Sequence, residues 1–518
     1  MRGQGKALPS RKGEKAWLWR TLWLVGGLLL WRCCYAFIVP LDLVADEAYY
    51  WSWSRQLDWC YFSKPPMIAW IIHLATQLGG HTPWVVRMPA VLLGTIGLLF
   101  IYALGSRMYG EKAGFWATAA AAATPANAAM SLIMTIDAPF MFCWSAALYA
   151  FWRLIERHRD RYLWAVITGF SVGLGLLSKQ TMIVFLALSF LFLLLTPNHR
   201  IELAKPLVWL TALFSLVFLI PVVFWNIDQG WVLIHHTTGH FTAVPFSATS
   251  RLLNLAEYSA SQGGIISPLT GLLVSVVIFL GLVTWNRIQK RERYLVCFSA
   301  VPLSGILMLS LFQRIEPNWP GPFYASGIVL LAGWATGKAD LGQRLGCLRR
   351  FFVPAVFVGA ASCVLTYSLP FALPLLGLEG SRFDPTVRLR GWHQLAQQVD
   401  EQMAILPRPN QTAIVTTTGR GLASELAFYM KGNPYVFPYN ETGIVFSQYD
   451  VWGWPEDLSR KDMMLITHTH GQIPESLRKR FQRLQQSSVL TRDLGHGRVF
   501  TYQIWLGSGF QELPSTEH

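Results

Sequence analysis

The chain is 518 residues long, 53% hydrophobic and only 14% charged, where soluble domains carry roughly 25% charged residues. That balance excludes a wholly soluble protein. The net charge of +14 is spread as short basic runs between apolar segments rather than as one patch. This excludes a nucleic-acid surface and marks membrane topology instead.

The N-terminus carries Arg2, Lys6, Arg11, Lys12 and Lys15 before the apolar run Trp17–Val39. The run is too long for a signal-peptide core and lacks a small-residue cleavage site, so it is expected to remain as a first span. Apolar stretches of about 20 residues cross hydrocarbon. About eleven are expected, within a range of ten to thirteen: 17–39, 84–105, 113–131, 138–155, 162–178, 181–196, 206–226, 265–285, 294–312, 321–337 and 351–375. With the N-terminus cytoplasmic, one set of connections collects Arg107/Lys112, Arg153/Arg157/Arg159/Arg161, Arg200/Lys205, Arg287/Lys290/Arg291/Arg293 and Lys338/Arg344/Arg349/Arg350. The opposite set holds only Arg55, Lys64, Lys179, Arg251 and Arg314. The positive-inside rule then predicts a multi-pass protein of the cytoplasmic membrane, with loops 40–83 and 227–264 and everything after 376 extracytoplasmic.

Within loop 40–83, Glu47–Leu57 and Pro66–Leu78 have the pattern of helices lying at a membrane surface. The chain divides at 376 into a transmembrane part, 1–376, and an α/β domain, 377–518. In the latter, Thr412–Thr417, Tyr435–Pro438, Met463–Thr467 and Val499–Ile504 are predicted strands. Trp392–Ala404, Leu422–Met430 and Glu475–Gln486 are predicted helices. Of the seven cysteines, Cys33, Cys34, Cys143, Cys297 and Cys363 lie in apolar runs and only Cys60 in an external loop, so no disulfide framework is implied.

Acidic residues near hydrocarbon demand a reason. Asp46-Glu47 follows the first span, and Asp137 sits in a short external turn before the fourth. Such carboxylates suit a general base and the binding of a polar substrate. Equally, Asp46 or Asp137 can cap the helix it precedes. Lys64, stiffened by Pro65-Pro66, suits a lipid phosphate, the alternative being a snorkelling surface lysine. Arg314 can hold a phosphate, with Glu316 and Asn318 on sugar hydroxyls, or Arg314 can pair internally with Glu316. Tyr50 belongs to an aromatic run, Tyr49–Phe62, that can stack on sugar rings or form an interfacial belt. His235, His236 and His240 are weak metal candidates; a divalent ion is the one cofactor the sequence leaves open. No phosphate-cradling glycine loop and no internal repeat is present.

Asp46-Glu-Ala-Tyr-Tyr-Trp51, Lys64-Pro-Pro-Met-Ile-Ala-Trp70, Asp137-Ala-Pro139, Leu177-Ser-Lys-Gln-Thr181, Glu316-Pro-Asn-Trp-Pro320 and Gly421-Leu-Ala-Ser-Glu-Leu-Ala-Phe-Tyr429 occur in that order. Together they resemble the bacterial polyprenyl-phosphate-sugar glycosyltransferases of the protein mannosyltransferase-like superfamily, nearest to the branch of aminoarabinose transferases acting on lipid A. The likeness runs over nearly the whole chain, although Ser63 stands where those transferases carry an acid. It implies an α-helical polytopic membrane protein of the C-type glycosyltransferase fold with a C-terminal soluble α/β domain. It also implies transfer of a sugar from polyprenyl (undecaprenyl) phosphate to an envelope acceptor, such as lipid A or another glycan, outside the membrane. In that pattern Asp46 is the key catalytic carboxylate, Asp137 a second acid and Lys64 a contact to the lipid phosphate, with Glu47 assisting. The partners implied are the lipid-linked sugar, the envelope acceptor and the bilayer, without nucleic acid. The rival readings are a lipid or sugar transporter and an O-mannosyltransferase acting on protein.

Overall fold

The computed structural model describes residues 11–156, 159–239, 247–342, 344–455, 458, 461–469 and 471–511; Arg2, Lys6, Arg157 and His240 lie outside them. Six described helices are long and apolar enough to cross a membrane: Lys15–Ile38, Pro83–Tyr109, Asp137–Ile155, Arg161–Ser178, Lys290–Leu309 and Gly346–Leu375. Three bent pairs raise the number to nine if each is one span: Gln180–Leu195 with Pro197–Leu203, Pro206–Val217 with Ile220–Asp228, and Thr249–Ile266 with Pro268–Val283. The last pair turns through 108° at Ser267, whose φ of 78° places a non-glycine residue in the left-handed region just before a proline. Stretch 113–131 is a helix, Glu111–Ala122, followed by a separate short one, Pro125–Met130. The break has a local cause. Thr124 is extended and its hydroxyl accepts the Asn127 N–H at 3.2 Å, while Pro125 occupies the first helical position; both features start a new helix.

The chain forms two compact units. One comprises Met1–Phe37, Arg87–Phe224 and Thr238–Tyr367; the other comprises Ile38–Val86, Trp225–Thr237 and Ser368–His518. The first unit is helical around one apolar core that includes Trp144, Phe185, Phe298 and Trp334. Its helices approach closely where glycines allow it. A Cβ on Gly114 would lie 2.8 Å from the Ser106 nitrogen and 2.9 Å from the Tyr102 carbonyl oxygen, so Glu111–Ala122 packs backbone to backbone on Pro83–Tyr109. Within the same unit the wholly buried Arg32 donates to Tyr367 Oη (3.1 Å), Thr95 Oγ1 (3.0 Å) and Asn127 Oδ1 (2.6 Å). A charge at membrane depth is tolerated because its donors are satisfied by protein.

The second unit contains a five-stranded sheet of order β2-β1-β3-β5-β4, formed by β1 (Thr412–Thr416), β2 (Val436–Pro438), β3 (Asp462–His468), β4 (Phe481–Asp493) and β5 (Val499–Phe510). β1 pairs in parallel with β2 and β3, whereas β5 is antiparallel to β3 and β4. The expected helix over 475–486 is confined to Glu475–Arg478, and β4 begins at Phe481. Gln, Arg and Leu favour helix in isolation, but pairing along β5 overrides that preference. The hairpin turn is made by Gly495, His496 and Gly497, all with positive φ. The first-loop helices are Ala45–Ser54 and Met67–Gly79. The second of these buries Ile68, Ala69 and Ile72 while leaving Leu74 and Leu78 exposed.

One buried acid ties down the turn that leads into this sheet. Burial alone would raise the Asp384 pKa, but hydrogen bonds from the Thr386 hydroxyl (2.6 Å), the Gly380 N–H (3.0 Å) and the Thr386 N–H (2.7 Å), with Arg390 nearby, outweigh it and hold the carboxyl below the usual range. A depressed folded value stabilises above the unfolded pKa of about 3.9 and is lost as pH falls through the folded value. Asp384→Asn should therefore lower the thermal midpoint of the purified protein at pH 7. That deficit relative to wild type should shrink below about pH 4, as followed by intrinsic fluorescence melting across a pH series.

Candidate functional site

Two groups of polar side chains, one in each unit, gather the residues singled out above. In the second unit, helix Ala45–Ser54 starts at extended Val44, and the Glu47 carboxylate accepts the Val44 N–H at 3.1 Å. Successive helical residues point about 100° apart, so the adjacent acids part company. Glu47 is wholly buried and serves the helix end, whereas Asp46 keeps a 53% exposed side chain. Of the two acids expected to do chemistry at this point, Asp46 is the accessible one.

The rest of that helix is anchored through its aromatic face. The Gln448 N–H donates to Tyr49 Oη at 2.5 Å, and the Gln448 side-chain oxygen accepts the Phe62 N–H at 2.6 Å. Tyr449 Oη donates to Ser52 Oγ at 3.0 Å and shares a 3.0 Å bond with Ser424 Oγ. Burial pushes the pKa of Tyr49 and of Tyr449 upward, so both phenols remain neutral. Tyr50 is buried, its ring 5.0 Å from that of Trp53; the aromatic run is therefore mainly packing.

Lys64 is half-buried in the segment 61–64, where its carbonyl accepts the Tyr61 N–H at 3.1 Å. Buried Pro65 and Pro66 follow and lead into helix Met67–Gly79. The backbone around this lysine is thus set, as two prolines require. The neighbouring Cys60 thiol is pushed up to about 12 by burial and is inert. His236 packs its ring 4.8 Å from that of Phe62, and His235 is exposed on the same short helix. Among the described residues no three His, Cys, Asp or Glu side chains converge as a metal site.

An unanticipated partner of Asp46 is Arg420. Its Nη2 lies 3.2 Å from Asp46 Oδ1, and its guanidinium lies over the Tyr49 ring, 4.4 Å from the centroid. The two residues are 374 positions apart, so no spacing rule could pair them. The one hint was that Arg420 opens the motif beginning at Gly421.

In the first unit, Asp137 begins helix Asp137–Ile155 and is almost wholly buried. Lys179 Nζ meets its Oδ1 at 2.7 Å, and Asn318 Nδ2 meets its Oδ2 at 2.6 Å. Lys179 is placed by the end of helix Arg161–Ser178, where the chain turns extended. The sequence flagged its motif without giving it a role. Both Asp137 oxygens are engaged, which makes it a fixed anion that orients an ammonium and an amide, rather than a mobile base. Arg314 is well exposed and pairs with Glu257 at 2.6 Å, not with Glu316, which is itself exposed.

With this geometry described, relatives can be compared. Residues 63–225 match the family model described as dolichyl-phosphate-mannose-protein mannosyltransferase. The lipid A galacturonosyltransferase RgtD of Rhizobium johnstonii is 25% identical over 450 residues, which are 86% of this chain and 90% of RgtD. The crystal structure of ArnT from Cupriavidus metallidurans bound to undecaprenyl phosphate superimposes with a TM-score of 0.63 at 16% identity, covering 97% of this chain and 100% of ArnT. The oligosaccharyltransferase AglB of Archaeoglobus fulgidus, in complex with an inhibitory peptide and a dolichol-phosphate, follows at 0.51 and 10% identity over 87% of this chain and 70% of its own. The chain is thus similar in sequence to RgtD and shares the fold of ArnT.

In this multi-pass membrane protein, the buried Asp137–Lys179 pair invites a direct test. Removing one partner of a buried ion pair strands the other charge and costs about 3–5 kcal/mol, whereas replacing both by neutral groups costs less. Lys179→Met should therefore lower the thermal midpoint more than Asp137→Asn/Lys179→Met does, measured on detergent-purified protein.

Proposed function

We propose that this chain transfers a sugar from a polyprenyl phosphate to an envelope acceptor of the lipid A type, on the extracytoplasmic side of the cytoplasmic membrane. The N-terminus is then cytoplasmic, and the sheet-bearing C-terminal region, from about 377, lies outside. The basic-residue asymmetry of the loops supports that sidedness. RgtD acts as a lipid A galacturonosyltransferase, and ArnT binds undecaprenyl phosphate; both names support a lipid-linked donor and a lipid acceptor here.

The observation that carries the mechanism is the contrast between Asp46 and Glu47. One carboxylate is exposed and held at a helix N-terminus; its neighbour is buried and caps the helix end. Asp46 takes the proton of the acceptor hydroxyl as that oxygen attacks the anomeric carbon. The bond from that carbon to the phosphate oxygen breaks, and its electron pair leaves with the polyprenyl phosphate, whose charge Lys64 offsets. The donor's own phosphate is the leaving group, so no nucleotide enters the reaction. Asp137 orients Lys179 and Asn318 for polar groups of acceptor or sugar, while Arg314 and Glu316 lie on an exposed turn suited to the acceptor headgroup.

Asp46→Asn, inserted at normal abundance, should lose about 100-fold or more in transfer, the usual contribution of a positioned general base. Lys64→Ala should lose about 10- to 100-fold in kcat/KM, the worth of one charge-assisted hydrogen bond. Both are read by chromatography of lipid acceptors incubated with purified protein and undecaprenyl-phosphate-linked sugar. Full activity in Asp46→Asn would remove the base assignment.

A further inference from the structure

Arg420 has no part in the mechanism above, yet its surroundings are those of a receptor. It is the first residue of helix Arg420–Tyr429, and Gly421 beside it lies against Ala45, the first residue of helix Ala45–Ser54; a Cβ on Gly421 would sit 3.4 Å from the Ala45 Cβ. Two helix N-termini with their partly positive ends and one guanidinium therefore meet beside Asp46, while Glu47 answers the end of its own helix. The guanidinium carbon lies over the Tyr49 ring, 4.4 Å from its centroid, and Tyr49 is itself fixed by Gln448 and stacked on Tyr449. Only Nη2 is engaged, by Asp46; Nε and Nη1 bond to no described residue, and the side chain is 43% exposed.

A surface ion pair by itself is worth little and needs neither a buried aromatic platform nor a second helix end. A planar fork positioned by an aromatic ring and an acid, with Nε and Nη1 open, matches a planar carboxylate, which it grips through two parallel N–H donors. The compact ammonium of Lys64 suits a phosphate instead.

We infer that Arg420 receives the carboxylate of a uronic acid carried on the lipid-linked donor, making it the residue that selects an anionic sugar. The inference rests on the donor reading given above. It agrees with the galacturonosyl chemistry in the name of RgtD, but it is drawn from the pairing of Arg420 with Tyr49 and Asp46.

The test uses the full chain in lipid nanodiscs with two donors that differ only at C6, undecaprenyl phosphate galacturonic acid and undecaprenyl phosphate galactose, and a lipid A precursor as acceptor. Wild type should favour the uronosyl donor. Arg420→Gln should raise KM for that donor about 10- to 100-fold, with kcat changed far less and galactosyl transfer untouched, which also verifies folding. Arg420→Lys, with charge but no fork, should recover part. In wild type, free galacturonate should compete with the donor and free galactose should not, a readout independent of any variant. Equal effects of Arg420→Gln on both donors, no effect on either, or a wild-type preference for the galactosyl donor would each overturn the assignment while leaving the lipid-linked-donor reading intact. Wild type transferring from neither donor would overturn the donor reading, and this assignment with it.

Discussion

Hydrocarbon offers no hydrogen bonds, so every polar or charged group that the helices carry into it must be answered by another part of the same chain. Arg32 is the clearest instance. It sits in the first span, and its partners are Thr95, Asn127 and Tyr367, from three other helices. Once a guanidinium is buried, the arrangement that satisfies it is strongly preferred, and four segments far apart in sequence are held in one register. Asp137, Lys179 and Asn318 follow the same logic at helix ends, where a helix start, a helix stop and an interhelical turn each contribute one polar group.

The second unit works by the opposite principle. The base proposed for it, Asp46, lies where burial ends. Helix Ala45–Ser54 buries eight consecutive residues from Glu47 onward, and Gln448, Tyr449 and Ser424 engage the hydroxyls of Tyr49 and Ser52 among them. That investment leaves one acid, Asp46, outside on a rigid support. Precise placement of an exposed carboxylate on a packed helix is what a general base needs, and a mobile loop would not supply it.

Several elements were legible from local pattern. Apolar runs marked the long helices, the turn toward alternating apolar residues marked β1, β2, β3 and β5, and Trp392–Ala404 emerged with its expected bounds. The departures have particular causes. Residues 481–486 have helical composition and became the start of β4 because β5 offered a ladder. The broken stretch 113–131 carries its stop signal in Thr124-Pro125, within an otherwise continuous apolar run. Arg314 found Glu257, 57 positions back, rather than the nearby Glu316.

The sequence by itself determined the helical membrane class and the short roster of residues able to carry charge chemistry, because long uncharged runs and isolated acids, lysines and arginines are properties of composition along a line. Only the tertiary structure decided which of those residues meet. It paired Asp46 with Arg420 and Asp137 with Lys179 and Asn318, and it separated Asp46 from Glu47 by burial. Coulombic attraction and desolvation depend on distance and surroundings in three dimensions, and separations of 42, 181 and 374 residues leave no period in the sequence from which to read them.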